Sequence, residues 1–243
     1  LIQEDLAARL ERIADEGPGG FYAGKTARLI ADEMKRGGGL VDEASLSAYK
    51  PVIREPVHGT YRGYEIVTMP PPSSGGVHVV QMLNILEHFP VAELGSGSAD
   101  NLHLLAEVAR LAYADRSKHL GDPDFYEVPA ERLTSQFYAD GLRAAIHPDR
   151  ATPSDLLPGS EGPREGTDTT HFSIIDAEGN MVAATLTVNL AFGASFMVPG
   201  TGFVLNNEMD DFSAKPGEPN AFGLIGFEAN EIRPYKRPLS SMT

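Results

Sequence analysis

Two adjacent threonines, Thr169 and Thr170, stand where a long polar stretch gives way to a β-prone segment. A threonine hydroxyl within a chain is a poor nucleophile, but at the first position of a chain its own α-amine can act as general base. Cleavage of the Asp168–Thr169 bond would therefore make Thr169 a nucleophile. The same residues also suit the plain start of a β-strand, so the sequence around them has to decide.

The segments downstream of Thr169 predict an antiparallel hairpin, because two β-prone runs flank a cluster of Asp, Glu, Gly and Asn. If Ile175 pairs with Met181, the register places Thr169 directly opposite Thr187. Opposed residues have Cβ atoms about 4.5–5.5 Å apart, which allows two hydroxyls to hydrogen-bond. Asn189 shares a face with Thr187 because side chains alternate with a period of two, and a slip of one residue would turn Thr187 to the other face.

The elements that must position these residues change character along the chain. Apolar stripes and glycine stops predict helices within residues 1–48, where Asp42 caps a short third helix. Further helices are predicted at 77–89, 101–114 and 133–146. Helices first and strands later favour an α+β fold over a doubly wound parallel sheet.

Shorter signals complete the pattern between and after the helices. Two short strands are predicted at 52–53 and 64–67, with turns at Gly59 and at Arg62–Gly63. Residues 147–168 are rich in Pro, Gly, Ser and charge without periodicity, so we expect a mobile loop there.

Composition excludes several classes of function. The formal charge of −14 argues against a nucleic-acid partner and an anionic membrane surface. No apolar run approaches the roughly 20 residues needed to cross a bilayer, and the charged residues 1–16 do not resemble a signal peptide. The chain has no cysteine, and its seven histidines lack ligand spacing, so we predict no metal site.

The segment Gly19–Thr26 matches the phosphate-binding pattern G-x-x-x-x-G-K-[ST]. That pattern requires a buried strand before it, whereas the preceding residues 10–16 form a charged helical stretch. Phe21 and Tyr22 are also bulky for a loop that wraps its amides around phosphates. We therefore predict a turn between two helices and no nucleotide site.

Several long motifs, taken together and in order, resemble the gamma-glutamyltransferase family of N-terminal-nucleophile hydrolases. The segments that carry the resemblance are Met69–Gly76, Ala112–Arg116, Thr169–Ser173, Asn206–Phe212 and Lys236–Met242. The likeness covers nearly the whole chain. It implies a four-layer αββα sandwich in which 1–168 belongs to a large, mostly helical subunit and 169–243 to a small, mostly stranded one, both halves forming one domain.

The resemblance also implies a role for each candidate residue. Thr169 would be the nucleophile after the chain cuts itself between Asp168 and Thr169, and Thr187 would position its hydroxyl. The residues implied to receive the α-amino group of a γ-glutamyl substrate are Asn189, Glu208 and Asp211. Ser240 and Ser241 would hold its α-carboxylate. The implied protein is a heterodimer in the periplasm or outside the cell, with the cytoplasm as the alternative location, and it needs no cofactor.

Each of these motifs also has a structural interpretation. Asp210–Asp211 suits a loop cap, and Glu208 alone suits an exposed loop acid. Ser240–Ser241 after a proline suits a helix N-cap, although helix-start amides also bind carboxylates. Asp115–Arg116 suits a structural ion pair or a solvated helix end. The remaining structural assignments are a packed strand residue at His171 and a strand-ending turn at Asn206–Asn207.

The resemblance further implies a carboxylate-binding arginine before this segment and an oxyanion-hole glycine pair after it. We therefore expect an internal part of a longer protein that is inactive alone. Phe222 stands where bacterial relatives often have a lid tyrosine. Two alternatives remain: a related acylase acting on poly-γ-glutamate or β-lactam amides, and an uncleaved precursor that serves at most as a binding module.

Overall fold

A computed structural model describes most of the chain and divides it into two compact units. The described ranges are 2–153, 169–220 and 223–243. The first unit contains residues 2–53, 169–170 and 186–207 of these, and the second contains 54–153, 171–185, 208–220 and 223–243.

The described part of the first unit contains four helices. They are α1 (Glu4–Glu16), α2 (Gly19–Tyr22), α3 (Gly24–Gly37) and α4 (Glu43–Ala48). Helix α3 ends as predicted within the glycine run, because Gly38 adopts a left-handed φ of 76° that an L side chain resists. The Asp42 carboxylate accepts the Ser45 amide at 2.7 Å, which confirms the predicted cap of α4.

The segment Gly19–Thr26, which matches the phosphate-loop pattern, forms one short helix and the start of the next. Its first residues form α2, and its last residues begin α3. The Thr26 hydroxyl is buried and donates to the Gly20 carbonyl at 2.8 Å. A magnesium-binding hydroxyl has to face a nucleotide, so this contact agrees with the predicted turn between two helices.

The second unit packs helices against a hairpin. Its elements are β1 (Val57–Tyr61), β2 (Tyr64–Thr68), α5 (Gly75–Leu86), α6 (Ala99–His119), α7 (Ala130–Leu133) and α8 (Gln136–Arg143). Two groups of buried apolar side chains join them. The first contains Ile85, Leu86, Leu104, Val108 and Ala139, and the second Val77, Leu120, Leu133 and Leu239.

The prediction of a turn at Gly59 is wrong. Gly59 lies inside β1, opposite Ile66 in β2, and the turn of this hairpin is at Arg62–Gly63. A Cβ at Gly59 would stand 2.7 Å from Val80 Cγ1 on α5. The glycine is needed because the helix packs closely on the strand, a tertiary requirement that resembles a turn signal in the sequence.

A second hairpin follows Thr169. Strand β3 (Thr170–Ile175) pairs with β4 (Met181–Leu186), as the sequence predicted. The Asp176 carboxylate accepts the amides of Glu178 and Asn180 at 3.0 and 2.8 Å, which closes the turn. The helices and hairpins make the chain α+β, as predicted.

The prediction that residues 169–243 are mostly stranded extends too far. After β4 the described residues form loops, isolated bridges and two 3₁₀ turns, Glu208–Asp211 and Glu228–Asn230. Asn189 and Ser195 have positive φ angles of 78° and 52°, which interrupt an extended backbone.

Two further predictions fall beyond the described ranges. Most of the predicted loop at 147–168, including Asp168, and the lid residue Phe222 lie outside the described residues. Within the described ranges, no helix is both long and apolar enough to span a bilayer.

Candidate active site

The Thr169 hydroxyl contacts the hydroxyl predicted to oppose it. Thr169 Oγ1 donates to Thr187 Oγ1 at 3.3 Å, at the open end of the β3–β4 hairpin. Thr170 begins β3 and Leu186 ends β4, and His171 Nδ1 lies 2.8 Å from Thr185 Oγ1, so these contacts agree with the predicted register. Thr169 is exposed and Thr187 is half-buried. The exposed hydroxyl is therefore both accessible and oriented.

The Thr187 hydroxyl is itself held by the backbone. Its oxygen accepts the Asn189 amide at 2.9 Å, which leaves a second lone pair for the Thr169 proton. This arrangement can polarise the Thr169 O–H bond and fix its direction. It cannot supply a base, because a hydroxyl does not take up a proton at neutral pH; the base has to come from elsewhere, such as a freed α-amine.

Asn189 is held by a second asparagine. Its Nδ2 donates to the Asn207 carbonyl at 3.1 Å, and Asn207 Oδ1 accepts the Leu190 amide at 3.0 Å. Asn207 also donates its backbone amide to Val188. These bonds stabilise the left-handed backbone of Asn189. Asn207, which the sequence assigned to a structural turn, therefore supports the segment that contains Asn189. The role of Asn189 in substrate binding stays a prediction.

Two carboxyl groups share the 3₁₀ turn Glu208–Asp211. Residues three apart eclipse in such a turn, so the side chains of Glu208 and Asp211 lie on one side. Burial, the nearby charge of Asp211 and a hydrogen bond between the two groups raise the pKa of Glu208 to about 7. Glu208 therefore gains or loses its proton near neutral pH. The pair can accept a cationic group, which would lower the energy of the doubly ionised form.

The serine pair is tied to the N-terminus of α5. Ser240 donates its amide to the Pro72 carbonyl at 2.9 Å, and Ser74 donates its amide to the Ser240 carbonyl at 2.7 Å. Ser241 Oγ accepts Arg116 Nη2 at 3.0 Å. Ser240 is half-buried and Ser241 is exposed. Two hydroxyls are thus presented side by side on a fixed backbone, beside a cation.

The interpretation of Asp115 and Arg116 as an ion pair or a solvated helix end is wrong. Arg116 is buried, and its Nε donates to Ser74 Oγ at 3.2 Å. Asp115 instead accepts Gln81 Nε2 at 2.5 Å and the Tyr138 hydroxyl at 2.9 Å. Successive helix residues point in different directions, so neighbours in sequence meet different partners.

Arg116 places a positive charge next to Ser241 of the serine pair. Burial lowers the pKa of its guanidinium, and the negative charge of Asp211 offsets only part of this effect. The same buried cation adds to the burial that lowers the pKa of His78 to about 3. Sequence reasoning missed the role of Arg116 because an arginine near a helix end is usually solvated. A carboxylate bound by the serines would gain from this charge.

The described residues contain no group of three or more His, Asp or Glu side chains placed to hold a metal ion. The predicted site residues fall into two sets within the described units. Thr169, Thr187 and Asn189 lie together in the first unit, and Glu208, Asp211, Ser240 and Ser241 belong to the second.

Comparisons with known proteins agree on one family. A family model described as Gamma-glutamyltranspeptidase matches residues 1–243. The glutathione hydrolase proenzyme of Escherichia coli (strain K12) is 51% identical over 244 residues, covering 100% of this chain and 42% of that protein. The chain thus spans less than half the length of this curated relative.

Two solved structures share the fold. The gamma-glutamyltranspeptidase of Helicobacter pylori matches with a TM-score of 0.63 and 44% identity over 69% of this chain and 48% of that chain. The cephalosporin acylase from Bacillus halodurans matches with a TM-score of 0.79 and 27% identity over 99% of this chain and 40% of that chain.

Proposed function

The chain belongs to the gamma-glutamyltranspeptidase family, and from that premise we propose that it carries a threonine nucleophile for γ-glutamyl hydrolysis and transfer. The contact of Thr169 Oγ1 with Thr187 Oγ1 carries the proposal, because it orients an exposed hydroxyl at the start of a strand. Cleavage of the Asp168–Thr169 bond frees the α-amine that serves as base.

The proposed chemistry balances without a cofactor. Thr169 Oγ1 attacks the γ-carbonyl carbon, and its proton passes to the freed α-amine. That proton then goes to the leaving amine as the amide C–N bond breaks, which leaves a glutamyl ester on Thr169. Water hydrolyses the ester to release glutamate, or an acceptor amine takes the glutamyl group. Thr187 keeps the attacking oxygen in position throughout.

The substrate head is proposed to be a free α-amino acid. Glu208 and Asp211 accept its ammonium together with Asn189, and Ser240 and Ser241 donate to its carboxylate. The acid pair supports this assignment, because a raised carboxyl pKa falls when a cation arrives. Glutathione is the proposed substrate, in keeping with the name of the Escherichia coli relative.

Processing is proposed to yield a large and a small subunit that remain together. The proenzyme name of the Escherichia coli relative supports cleavage. A location in the periplasm or outside the cell, which the resemblance implies, belongs to the same proposal.

An acylase acting on β-lactam amides is the second candidate, favoured by the likeness to cephalosporin acylase. The acid pair distinguishes the two, since an acyl group that lacks an ammonium would gain no attraction from Glu208 and Asp211. An uncleaved protein that only binds ligands would need neither the Thr169–Thr187 contact nor a freed amine.

Intact mass and hydrolysis test the proposal together. The full-length protein carrying this chain is expected to yield two fragments, the second beginning at Thr169, and to hydrolyse L-γ-glutamyl-p-nitroanilide. It is expected to hydrolyse glutaryl-p-nitroanilide, which lacks the ammonium, far more slowly. A single uncut chain, or a preference for the glutaryl compound, would contradict the proposal.

The acid pair also predicts a pH dependence. The pKa of Glu208 is about 7, so Glu208 is mostly protonated at pH 6 and mostly ionised at pH 7.5. Since the ammonium binds the ionised form, KM for L-γ-glutamyl-p-nitroanilide is expected to fall roughly fivefold to tenfold over this range. Steady-state kinetics of the wild type and of Glu208→Gln measure it, and the variant is expected to lack the dependence.

Rising pH has the opposite effect on folding stability from its effect on substrate binding. The folded pKa of Glu208 lies above its ordinary value of 4.5, so its contribution to stability is complete below that value and is lost as pH rises through about 7. A loss of folded protein above pH 7 would therefore lower kcat and not KM. A KM that stays flat or rises between pH 6 and 7.5 would contradict the proposed role of the pair.

A further inference from the structure

The proposed head-binding groups lie on two separate segments of the second unit. Asp211 ends a 3₁₀ turn, and Ser240–Ser241 follow about thirty residues later by their numbering. An α-amino acid carries its ammonium and carboxylate on one carbon, so the two segments must keep a fixed separation. Errors of about 1 Å in such an arrangement can cost on the order of 100-fold in rate.

One buried side chain bonds to both segments. Asn230 Nδ2 donates to the Asp211 carbonyl at 2.7 Å, and Asn230 Oδ1 accepts the Leu239 amide at 3.0 Å. Leu239 directly precedes the serine pair. The side chain is 4% exposed, so water cannot replace these bonds at little cost. These partners also fix the orientation of the amide. In a flipped carboxamide, Oδ1 would face the Asp211 carbonyl and Nδ2 would face the Leu239 N–H, so neither hydrogen bond could form.

Asn230 itself sits on a fixed backbone. Its carbonyl accepts the Ser213 amide at 3.0 Å, close to the acid turn in sequence. The buried Lys236 ammonium donates to the carbonyls of Ala229 and Glu231 at 2.8 and 2.9 Å, the residues on either side of Asn230. A lysine in a loop usually extends into solvent, whereas here it holds the turn that presents the asparagine.

We propose that Asn230 is a positioning residue that sets the separation between the ammonium acceptor Asp211 and the carboxylate donors Ser240 and Ser241. It thereby favours acyl groups that carry an ammonium and a carboxylate on the same carbon. This inference rests on the proposed γ-glutamyl function. Asn230 needs no contact with substrate, since it acts through the backbone of the two segments that do.

The two hydrogen bonds of the Asn230 side chain require a carboxamide, which has both a donor and an acceptor. An aspartate at this position can still accept the Leu239 amide, but it cannot donate to the Asp211 carbonyl. Asn230→Asp therefore releases the acid turn while keeping the link to the serine segment. Its added negative charge would by itself favour an ammonium, so any loss of γ-glutamyl activity in this variant runs against the simple charge effect.

Three anilides separate positioning from folding. L-γ-Glutamyl-p-nitroanilide has both head groups, glutaryl-p-nitroanilide lacks the ammonium, and γ-aminobutyryl-p-nitroanilide lacks the carboxylate. In the processed full-length enzyme, Asn230→Asp is expected to lower kcat/KM at least about tenfold for the first and less than about threefold for the other two. Ratios between substrates do not depend on how much enzyme is folded. Asn230→Ala is the second variant and is expected to act in the same direction.

Asn84 offers a matched control. It is equally buried, and its Nδ2 donates to the Thr134 carbonyl at 2.6 Å while its Oδ1 accepts Gln136 Nε2 at 2.9 Å. Asn84→Asp is expected to lower the yield of folded enzyme without altering the substrate ratios. Equal losses on all three anilides in both Asn230 variants, or no loss, would overturn the inference. A wild type that cleaves none of them would overturn the proposed function as well.

Discussion

Replacement of Thr169 by alanine is expected to abolish both cleavage of the chain and hydrolysis of L-γ-glutamyl-p-nitroanilide. The variant lacks the oxygen that forms the ester and that contacts Thr187. Removal of the nucleophile in comparable hydrolases costs about 10⁶ in kcat. Intact mass and the anilide assay of the full-length protein measure the two effects separately.

Two neighbouring changes sharpen this prediction. Thr169→Ser keeps the hydroxyl and is expected to be cleaved and active, with lower rates because serine loses the methyl group that restricts its rotamer. Thr170→Ala removes the adjacent exposed threonine and is expected to leave both reactions within a few-fold of the wild type. Residual hydrolysis in Thr169→Ala beyond traces, or equal losses in Thr170→Ala, would show that the nucleophile lies elsewhere.

Asp211→Asn is expected to lower kcat/KM for the γ-glutamyl anilide by about 10²–10³. The change keeps the shape of the side chain and removes the charge proposed to bind the ammonium. Loss of one partner of a partly buried charge pair commonly costs about 2–5 kcal/mol. Because Asp211 is also the charge that raises the pKa of Glu208, the variant is further expected to lower that pKa and to move the KM profile toward acid.

Asp210→Asn is the control for this second prediction. Asp210 lies in the same 3₁₀ turn and carries the same charge, but it is exposed. Its replacement is expected to change kcat/KM by less than about threefold, in line with the small effect of solvated charges. Similar losses in both variants would mean that the general negative field of the turn matters, and that Asp211 has no specific contact with the substrate.

The local parts of the site could be predicted from the sequence. Thr169 and Thr187 are joined by one hairpin, so a period of two and a turn rich in Asp and Asn are enough to place them opposite each other. The cap at Asp42 and the glycine stop at the end of α3 follow from the same kind of short-range rule. In each case the partners are close in the chain and few conformations satisfy the pattern.

The prediction failed where a residue is chosen by a partner distant in sequence. Gly59 has the sequence signature of a turn, but it lies in a strand because α5 packs on it. Asp115 and Arg116 suggest an ion pair, but the helix directs them to different neighbours. The described residues after β4 form loops, isolated bridges and 3₁₀ turns, although the resemblance implied a mostly stranded segment.

The sequence alone therefore predicted a threonine as the nucleophile, and it determined the register that places Thr169 opposite Thr187 and the kinds of charged side chain that the candidate site offers. Only the tertiary structure decided how those charges are spaced and supported. Arg116 reaches Ser241 across 125 residues, and Asn230 joins Asp211 to Leu239 across 19 and 9 residues. No periodicity encodes such contacts, because they depend on how separately formed segments pack together.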